Sequence, residues 1–268
     1  MLSKCARRCV HLEYKRMGRL LRPNLPEYTI ASDISYKYPH AIYNLKDIQT
    51  VTVTHQPTDD LPSKIGNGLI SGIKNTYDKL TGFPLQMTKE KYIKRVCVFE
   101  TIAAVPGMVG GSIRHYKSLR KWRYDLGWIH TLMEEAENER THLQAFLDIG
   151  RPSGAFKMRA SMACRLFKWI YTGMYIISPT TCHRMVGYLE EQAVDTYNKI
   201  IDEIDKPNGV LKDWKVSPCP NIGISYWKLP EKATVRDMVL AIRADEVIHR
   251  EVNHYLADIG PRRANELI

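Results

Sequence analysis

Two stretches of the sequence place a glutamate and a histidine three residues apart on a helix face that is otherwise apolar. Glu139 precedes His142 in one stretch, and Glu246 precedes His249 in the other. Residues three apart lie on the same side of a helix. Because the apolar residues around each pair recur every three or four positions, that side is expected to pack against other helices. Both pairs are therefore predicted to point inward.

Single glutamates interrupt the apolar faces of two further helical segments, Glu100 in one and Glu190 in the other. An isolated ionised carboxylate in a dry interior costs many kcal/mol, so it has to be neutralised, paired with a cation or bound to a metal. The four faces carry too few inward-pointing Lys or Arg residues to pair four acids. For any one acid, the alternative is an exposed or salt-bridged residue on a helix whose phase is shifted by one position.

Four glutamates and two histidines match the ligand set of ferritin-like di-iron and di-manganese bundles, in which two helices give one Glu each and two others give Glu-x-x-His. Oxygen and imidazole ligands without thiolate suit iron or manganese better than structural zinc. One more Glu-x-x-His, Glu251 with His254, lies off the apolar face and is assigned to the solvated side. The predicted metal ligands are Glu100, Glu139, His142, Glu190, Glu246 and His249.

Three polar residues near these ligands have a predicted supporting role. Tyr197 follows Glu190 by two helical turns on the same face, where a phenol near a metal can carry a radical or donate a hydrogen bond. As a lone tyrosine it can equally be a packing residue. Asn138 and Asp245 each precede a predicted ligand and can orient the imidazoles from outside. The alternative for both is an ordinary exposed polar residue.

Helical periodicity predicts the elements that carry these residues. Pro62 suits a first helical turn, and breaks rich in Pro and Gly separate the later segments. Thr50-Val51-Thr52-Val53 is the only convincing strand signal. The predicted fold class is all-α, a ferritin-like four-helix bundle with a di-iron or di-manganese core plus two amphipathic helices. The six predicted helices cover about 62–80, 88–120, 124–148, 154–178, 180–205 and 231–258.

The two helices beyond the bundle, 62–80 and 154–178, are amphipathic with basic flanks. Such helices can lie in a membrane interface. The alternative is that both apolar stripes pack on the bundle or form a dimer interface, which periodicity alone slightly favours. The longest stretch without a charged residue or histidine, Trp169 to Cys182, is shorter than the roughly 20 apolar residues of a membrane-spanning helix. No transmembrane helix is predicted.

The composition is ordinary for a globular protein, since the 268 residues are 44% hydrophobic and 25% charged. The six cysteines are scattered without a Cys-x-x-Cys motif, which favours reduced thiols. The net charge is +10, but residues 1–22 hold seven basic residues against Glu13 alone and so carry +6 of it. Because only +4 remains for the rest, nucleic acid is not a predicted partner.

Three regions follow from these patterns. Residues 1–22, which are Arg-rich with interleaved apolar residues, are predicted to be a mitochondrial targeting presequence. The alternative is a basic disordered arm that binds nucleic acid or anionic lipid. Residues 23–61, rich in Pro, Tyr, Asp and Thr, are predicted to form an extended N-terminal arm. Residues 62–268 are predicted to form the helical-bundle domain.

Four ordered runs, FETIAAVPGMVG, MEEAENERTHL, GYLEEQAVDTY and RADEVIHREVNHYLAD, resemble the alternative oxidase family, the cyanide-insensitive quinol oxidases of mitochondria. The likeness covers roughly residues 60–258. It implies a terminal oxidase of a branched respiratory chain, which oxidises ubiquinol and reduces O2 to water at two iron ions without pumping protons. It also implies a homodimer on one leaflet, at the matrix face of the mitochondrial inner membrane or in the membrane of a reduced mitochondrion-related organelle.

Motif by motif, the resemblance places the iron ligands of the family on the six residues named above and its proposed redox tyrosine on Tyr197. Gln192, where a third Glu is common, and Phe99, where Leu precedes the first ligand, depart from the family pattern. Residues 23–96 contain no cysteine, which puts thiol regulation in doubt. The quinol-binding residues implied are Arg95, Phe99, Ala193 and Thr196, and the residues implied around the ligands are Asn138, His183, Trp227 and Asp245.

Two other functions stay open at this point. A di-iron hydroxylase or desaturase acting on another membrane substrate would use the same ligands. A non-catalytic basic helical protein that binds membrane or RNA would need a metal-free chain and a basic face outside the first 22 residues.

Overall fold

A computed structural model of the chain describes residues 28–30, 40–51, 53–85 and 87–262. The predicted presequence, residues 1–22, lies outside them. Within the described residues the fold is all-α, as predicted, apart from two three-residue strands and one 3-10 turn, Lys212–Lys215. The helices are α1 (Leu61–Thr81), α2 (Lys89–Lys121), α3 (Trp128–Gly150), α4 (Gly154–Ile177), α5 (Pro179–Asp205), α6 (Asn221–Trp227) and α7 (Val235–Ile259).

All six predicted helices are confirmed, each within four residues at either end. The seventh, α6, has only two turns, which is too short for periodicity to detect. Capping residues define where the helices begin. The side chain of Asp60 accepts from the backbone N–H of Ser63 at 2.7 Å and Pro62 occupies the first turn of α1. Thr234 and Asp237 form a capping box at the start of α7.

The N-terminal arm contains the two strands, β1 (Tyr28–Ile30) and β2 (Ala41–Tyr43), which pair antiparallel. The strand predicted at 50–53 is wrong, because the described residues of that stretch form none. Two arginines of α7, Arg243 and Arg250, instead donate hydrogen bonds to backbone carbonyls on either side of it. Residues with β propensity form a strand only where a neighbouring strand pairs with their backbone, and none of the described residues supplies one here.

The bundle consists of two helix pairs, α2 with α3 and α5 with α7. The approach of α2 to α3 depends on Gly107, where a Cβ would lie 2.3 Å from the carbonyl oxygen of Leu132. Bulkier residues would push the two helices apart. This close contact sets α2 against α3 where both carry inward-pointing acids.

Helices α1 and α4 pack on the outside of the bundle, α1 against α5 and α4 against α2 and α5. Helix α4 buries only Tyr171 and Tyr175 among its residues. The apolar residues that the two helices leave exposed are Leu61, Ile65, Leu69, Ile73 and Leu80 on α1, and Met158, Met162, Leu166, Trp169, Ile170, Ile176 and Ile177 on α4. Their amphipathic character is therefore as predicted, and the described residues leave much of the apolar side uncovered.

One helix of the described residues, α2, is long and apolar enough to cross a membrane by length and composition. The mean hydropathy of its most apolar window is 1.6, and 61% of that window is buried inside the protein. A helix that also turns Glu100 toward its neighbours fits the core of a bundle.

Candidate metal centre

The four bundle helices bring all six predicted ligands into one buried cluster. None of these residues is more than 7% exposed. The phase of each helix is therefore the one predicted from its apolar face. Helix α2 contributes Glu100, α3 contributes Glu139 and His142, α5 contributes Glu190, and α7 contributes Glu246 and His249.

The six side chains divide into two overlapping groups, each with three carboxylates and one imidazole. In each group the ligand atoms lie within 4.8 Å of one another. Glu139 and Glu246 belong to both groups, and each carboxylate has two oxygens. The arrangement would therefore offer a site for one metal ion at each group, with two residues common to both. The groups are Glu100, Glu139, His142 and Glu246, and Glu139, Glu190, Glu246 and His249.

Several ligand atoms in this cluster have no hydrogen-bond partner among the described residues. Within that part of the chain both oxygens of Glu139, Glu190 and Glu246 lack a donor, although each residue is at most 1% exposed. Nδ1 of His249 lies 2.7 Å from an oxygen of Glu139 but without hydrogen-bond geometry. Because buried polar groups are nearly always satisfied, this set of orphaned atoms fits a cation between them. The donors are hard oxygen and imidazole, which suit iron or manganese.

Two acids of the cluster have raised pKa values and so tend to hold protons. Burial, followed by the charges of Glu246 and Glu139, raises the pKa of Glu190 well above its usual range. Burial and the charge of Glu139 raise the pKa of Glu100 to about 7. Metal ligands have to be deprotonated, so a bound cation would replace protons at these carboxylates.

Asp245 orients one imidazole of the cluster. Its Oδ2 accepts hydrogen bonds from Nε2 of His142 at 3.1 Å, from Nε1 of Trp227 at 2.8 Å and from Nδ2 of Asn138 at 3.1 Å. Burial would raise the pKa of Asp245, but the hydrogen bond and charge of His142 lower it. The other nitrogen of His142, Nδ1, then faces the carboxylates. Asn138, Trp227 and Asp245 thus meet at one point beside a predicted ligand.

His183 reaches the cluster only through an intermediate residue. Its Nδ1 lies 3.0 Å from Oδ1 of Asn253, and Nδ2 of Asn253 donates to the backbone carbonyl of His249 at 3.0 Å. The same Nδ2 lies 2.9 Å from both carboxylate oxygens of Glu135. Burial lowers the pKa of His183 to about 4, so its ring is neutral at neutral pH.

Tyr197 lies inside the bundle, 2% exposed, and its hydroxyl donates a hydrogen bond to Oε1 of Glu100. Burial, followed by the charge of Glu100, raises the pKa of this phenol well above its usual range. The hydroxyl therefore keeps its proton. The structure places it one hydrogen bond from a predicted ligand.

Sequence patterns missed several residues around the cluster. The hydroxyl of Tyr43 donates a hydrogen bond to Asp245, and the hydroxyl of Tyr226 accepts one from Asn138. Both tyrosines lie in segments without periodicity. Asn253 interrupts the apolar face of α7 as the ligands do, and this signal could have identified it. His254 was wrongly assigned to the solvated side. It is 3% exposed because α5 packs closely there, and a Cβ at Gly187 would lie 2.5 Å from its ring.

An apolar pocket between α1, α2 and α5 leads to the cluster. Of the four residues implied for quinol binding, Phe99 and Ala193 line it. Its polar lining consists of Lys74, Tyr77, Gln192 and four acids of the cluster. Gln192, noted above as a departure from the family pattern, therefore faces the pocket. The acids at its inner end are Glu100, Glu139, Glu190 and Glu246.

Arg95 and Thr196, the other two, do not line this pocket. The guanidinium of Arg95 lies behind its wall, 4.5 Å from the ring centroid of Phe99 and 5.3 Å from that of Tyr77. Its Nη2 is also 2.6 Å from Oδ1 of Asp78. The hydroxyl of Thr196 donates to the backbone carbonyl of Gln192 at 2.9 Å. Both residues therefore contact the wall from outside.

Comparison with known proteins assigns a family to this site. The family model described as Alternative oxidase matches residues 43–258. The chain belongs to the alternative oxidase family. It is therefore an oxidoreductase, and the buried Glu and His cluster of this family member can bind metal.

Three relatives in the alternative oxidase family illustrate the likeness. "Alternative oxidase, mitochondrial" of Ajellomyces capsulatus is 37% identical over 252 residues, which is 88% of this chain and 70% of the relative. "Ubiquinol oxidase, mitochondrial" of Batrachochytrium dendrobatidis is 48% identical over 173 residues, 63% of this chain and 52% of the relative. "Ubiquinol oxidase 1c, mitochondrial" of Arabidopsis thaliana is 41% identical over 205 residues, which is 76% of this chain and 59% of the relative. The chain thus matches between about half and 70% of the length of each of these relatives.

Proposed function

We propose that the chain is a terminal ubiquinol oxidase of a branched respiratory chain, which oxidises ubiquinol and reduces O2 to water at a non-haem di-iron site. The observation that carries this proposal is the pair of ligand groups that share Glu139 and Glu246 at the inner end of an apolar pocket. Relatives named ubiquinol oxidase support the choice of substrate.

The six predicted ligands would hold two iron ions, one at each ligand group, and Glu139 and Glu246 are common to both groups. When bound, two iron ions supply the binding and stepwise reduction of O2. The protein contributes the orientation of His142 by Asp245 and the exclusion of water from a cluster that is almost fully buried. Tyr197 would be the catalytic tyrosine, since its hydroxyl hydrogen-bonds to Glu100 where the pocket meets the ligands.

The apolar pocket would bind the quinol with its ring against Phe99 and Ala193. A flat, mostly apolar molecule fits such a lining, and the few polar groups at the inner end would orient its hydroxyls. Arg95 and Thr196 would position this wall, because Arg95 stacks on Phe99 and Thr196 is bonded to Gln192. Asn138, His183, Trp227 and Asp245 would support the ligands from outside.

Membrane attachment would use α1 and α4. Both helices expose apolar side chains, and α4 also carries Lys157, Arg165 and Lys168. An apolar stripe with basic residues is typical of a helix that lies in one leaflet. We place the protein as a homodimer on the matrix face of the mitochondrial inner membrane, or in the membrane of a reduced mitochondrion-related organelle. An enzyme attached to one leaflet would pump no protons.

The proposed domain organisation is a presequence at 1–22, an N-terminal arm at 23–61 and the oxidase domain at 62–268. The mitochondrial names of the relatives support a targeting segment. Import of a fusion of residues 1–22 to a reporter into isolated mitochondria would test this assignment, and a reporter left outside them would contradict it.

Oxygen uptake by membranes from cells that express the chain tests the main proposal. We expect cyanide-resistant uptake with added ubiquinol, and its loss in Glu246→Ala because a shared ligand is removed. A matched control is Glu251→Ala, which removes a neighbouring glutamate outside the ligand set. An iron-loaded parent without uptake would contradict quinol oxidation. Hydroxylation of a lipid by that same protein would favour the hydroxylase or desaturase.

A further inference from the structure

One side chain connects the N-terminal arm to the surroundings of the metal centre. Tyr43, in β2, is 6% exposed, and its hydroxyl donates a 2.5 Å hydrogen bond to Oδ1 of Asp245 on α7. The bond joins residues that lie 202 positions apart in the sequence. It therefore brings a group from the arm within two hydrogen bonds of His142.

The two oxygens of Asp245 have different donors. Oδ2 accepts from His142, Trp227 and Asn138, whereas Oδ1 accepts from Tyr43. The residue is only 3% exposed, so bulk solvent does not supply a replacement for a missing donor. Tyr43 thus keeps the carboxylate from turning away from His142.

The orientation of Asp245 decides which nitrogen of His142 faces the cluster. When Nε2–H donates to Asp245, the lone pair of Nδ1 is available to a metal ion. Nδ1 lies 3.1 Å from Oε2 of Glu100 and 3.2 Å from Oε1 of Glu246. A carboxylate on the far nitrogen of a histidine ligand fixes its tautomer and makes it a stronger ligand.

The arm is held at other points that do not touch Asp245. Arg243 donates to the carbonyl of Ile48 at 2.6 Å, and the hydroxyl of Tyr188 donates to the carbonyl of Gln56 at 3.2 Å. The side chain of Glu191 accepts from the backbone N–H of Gln56 at 2.9 Å. These contacts let the effect of Tyr43 be separated from that of arm attachment.

We propose that Tyr43 is a positioning residue of the metal centre, which holds Asp245 and through it His142, so that the arm and the bound metal stabilise each other. The proposal rests on the di-iron site proposed above. The coupling works in both directions, because two events linked by a shared element raise each other's affinity equally.

The first test compares Tyr43→Phe with the parent as purified, iron-loaded full chains. The variant keeps the ring and removes only the hydroxyl. We expect its iron affinity, measured by competition with a chelator, to fall about tenfold, and the electron paramagnetic resonance spectrum of the centre to change. Tyr188→Phe, which removes an arm contact of the same type, should match the parent in both measurements. Equal iron affinity in Tyr43→Phe and the parent would overturn the proposal.

A double-mutant comparison tests the route through Asp245. If Tyr43 acts on the metal by way of this carboxylate, Tyr43→Phe should have little further effect on iron affinity once Asp245→Asn is present. Additive losses would show that Tyr43 acts elsewhere and would overturn the proposed route.

Hydrogen exchange of the parent provides a test that needs no variant. We expect the amides of residues 40–51 to exchange more slowly with iron bound than without it. Exchange that is unaffected by iron would overturn the coupling. These outcomes differ from a failure of the proposed function, since a parent that binds no iron contradicts the di-iron site itself, whereas an iron-loaded parent with an unchanged arm contradicts only the role of Tyr43.

Discussion

Tyr197 on α5 donates a hydrogen bond to Glu100 on α2 where the apolar pocket meets the buried acids. This bond connects the proposed catalytic tyrosine to a predicted ligand across two helices. We expect Tyr197→Phe to retain the iron content of the parent, since no ligand is removed, but to lower the turnover number for ubiquinol at least tenfold. Oxygen uptake and iron analysis on the same samples measure both. A variant as active as the parent would exclude a catalytic hydroxyl.

The shared carboxylates predict an unequal loss of metal from two substitutions. Glu139 belongs to both ligand groups and Glu190 to one. We therefore expect Glu139→Gln to lose both iron ions and Glu190→Gln to lose one, as measured by iron per chain after gel filtration. Glu137→Gln is the control, because that carboxylate pairs with the exposed Arg140. Equal losses from Glu139 and Glu190 would argue against bridging.

Replacing glycine by alanine should have opposite effects on stability at two positions, because only Gly107 lies in the close contact of α2 with α3. At Gly107 a Cβ would lie 2.3 Å from a backbone oxygen, whereas at Gly72 on α1 nothing lies within 4 Å. Gly107→Ala should lower the free energy of unfolding by about 1–3 kcal/mol through overpacking. Gly72→Ala should raise it by about 0.5–1 kcal/mol, because alanine is the better helix former. Chemical denaturation in detergent measures both, and a neutral Gly107→Ala would contradict the close approach.

His183 predicts a pH dependence of stability. Burial lowers its pKa from 6.5 to about 4 in the folded chain, so the unfolded chain binds the extra proton first as the pH falls. The contribution of the neutral His183 ring to the free energy of unfolding is fully present above pH 6.5 and is lost as the pH falls toward 4. The difference is about 3 kcal/mol.

Comparison with His183→Gln isolates this contribution. Between pH 6.5 and pH 4 the free energy of unfolding should fall more steeply in the parent than in the variant. Acid effects on other groups, including Asn253-bonded Glu135, are common to both proteins. Parallel pH profiles would show that folding does not change the pKa of His183 and would contradict this prediction.

The exposed side of α4 predicts weaker membrane binding after charge is added. Leu166 is 64% and Ile170 52% exposed. Leu166→Glu with Ile170→Glu should reduce binding to anionic vesicles at least tenfold in a flotation assay, because each buried side chain contributes about 1.5–3 kcal/mol. Val216→Glu, at an exposed apolar residue outside α1 and α4, should leave binding unchanged. Retained binding in the double variant would place the attachment elsewhere.

The sequence predicted the bundle and its buried acids because both depend on periodicity within single helices. Glu100, Glu139 and Glu190 each break an apolar repeat, and such breaks are visible without knowing the neighbouring helix. Contacts between distant segments carry no such signal. The hydrogen bond from Tyr43 to Asp245, and the burial of His254 beside Gly187, follow from how α7 meets the arm and α5. The β-prone residues at 50–53 favoured a strand, but among the described residues no strand lies beside them to supply hydrogen-bond partners.

The sharing of Glu139 and Glu246 also affects how the chain is held together. Glu139 is in the first helix pair and Glu246 in the second, and α4 separates the two pairs along the chain. Ions bound between them would cross-link the front and back halves of the polypeptide, as a disulfide does in a secreted domain. Without iron, the halves would be joined by packing and hydrogen bonds alone and would open more often to proteases. The amount of this oxidase in a cell should therefore follow the supply of iron even when its transcript level is constant.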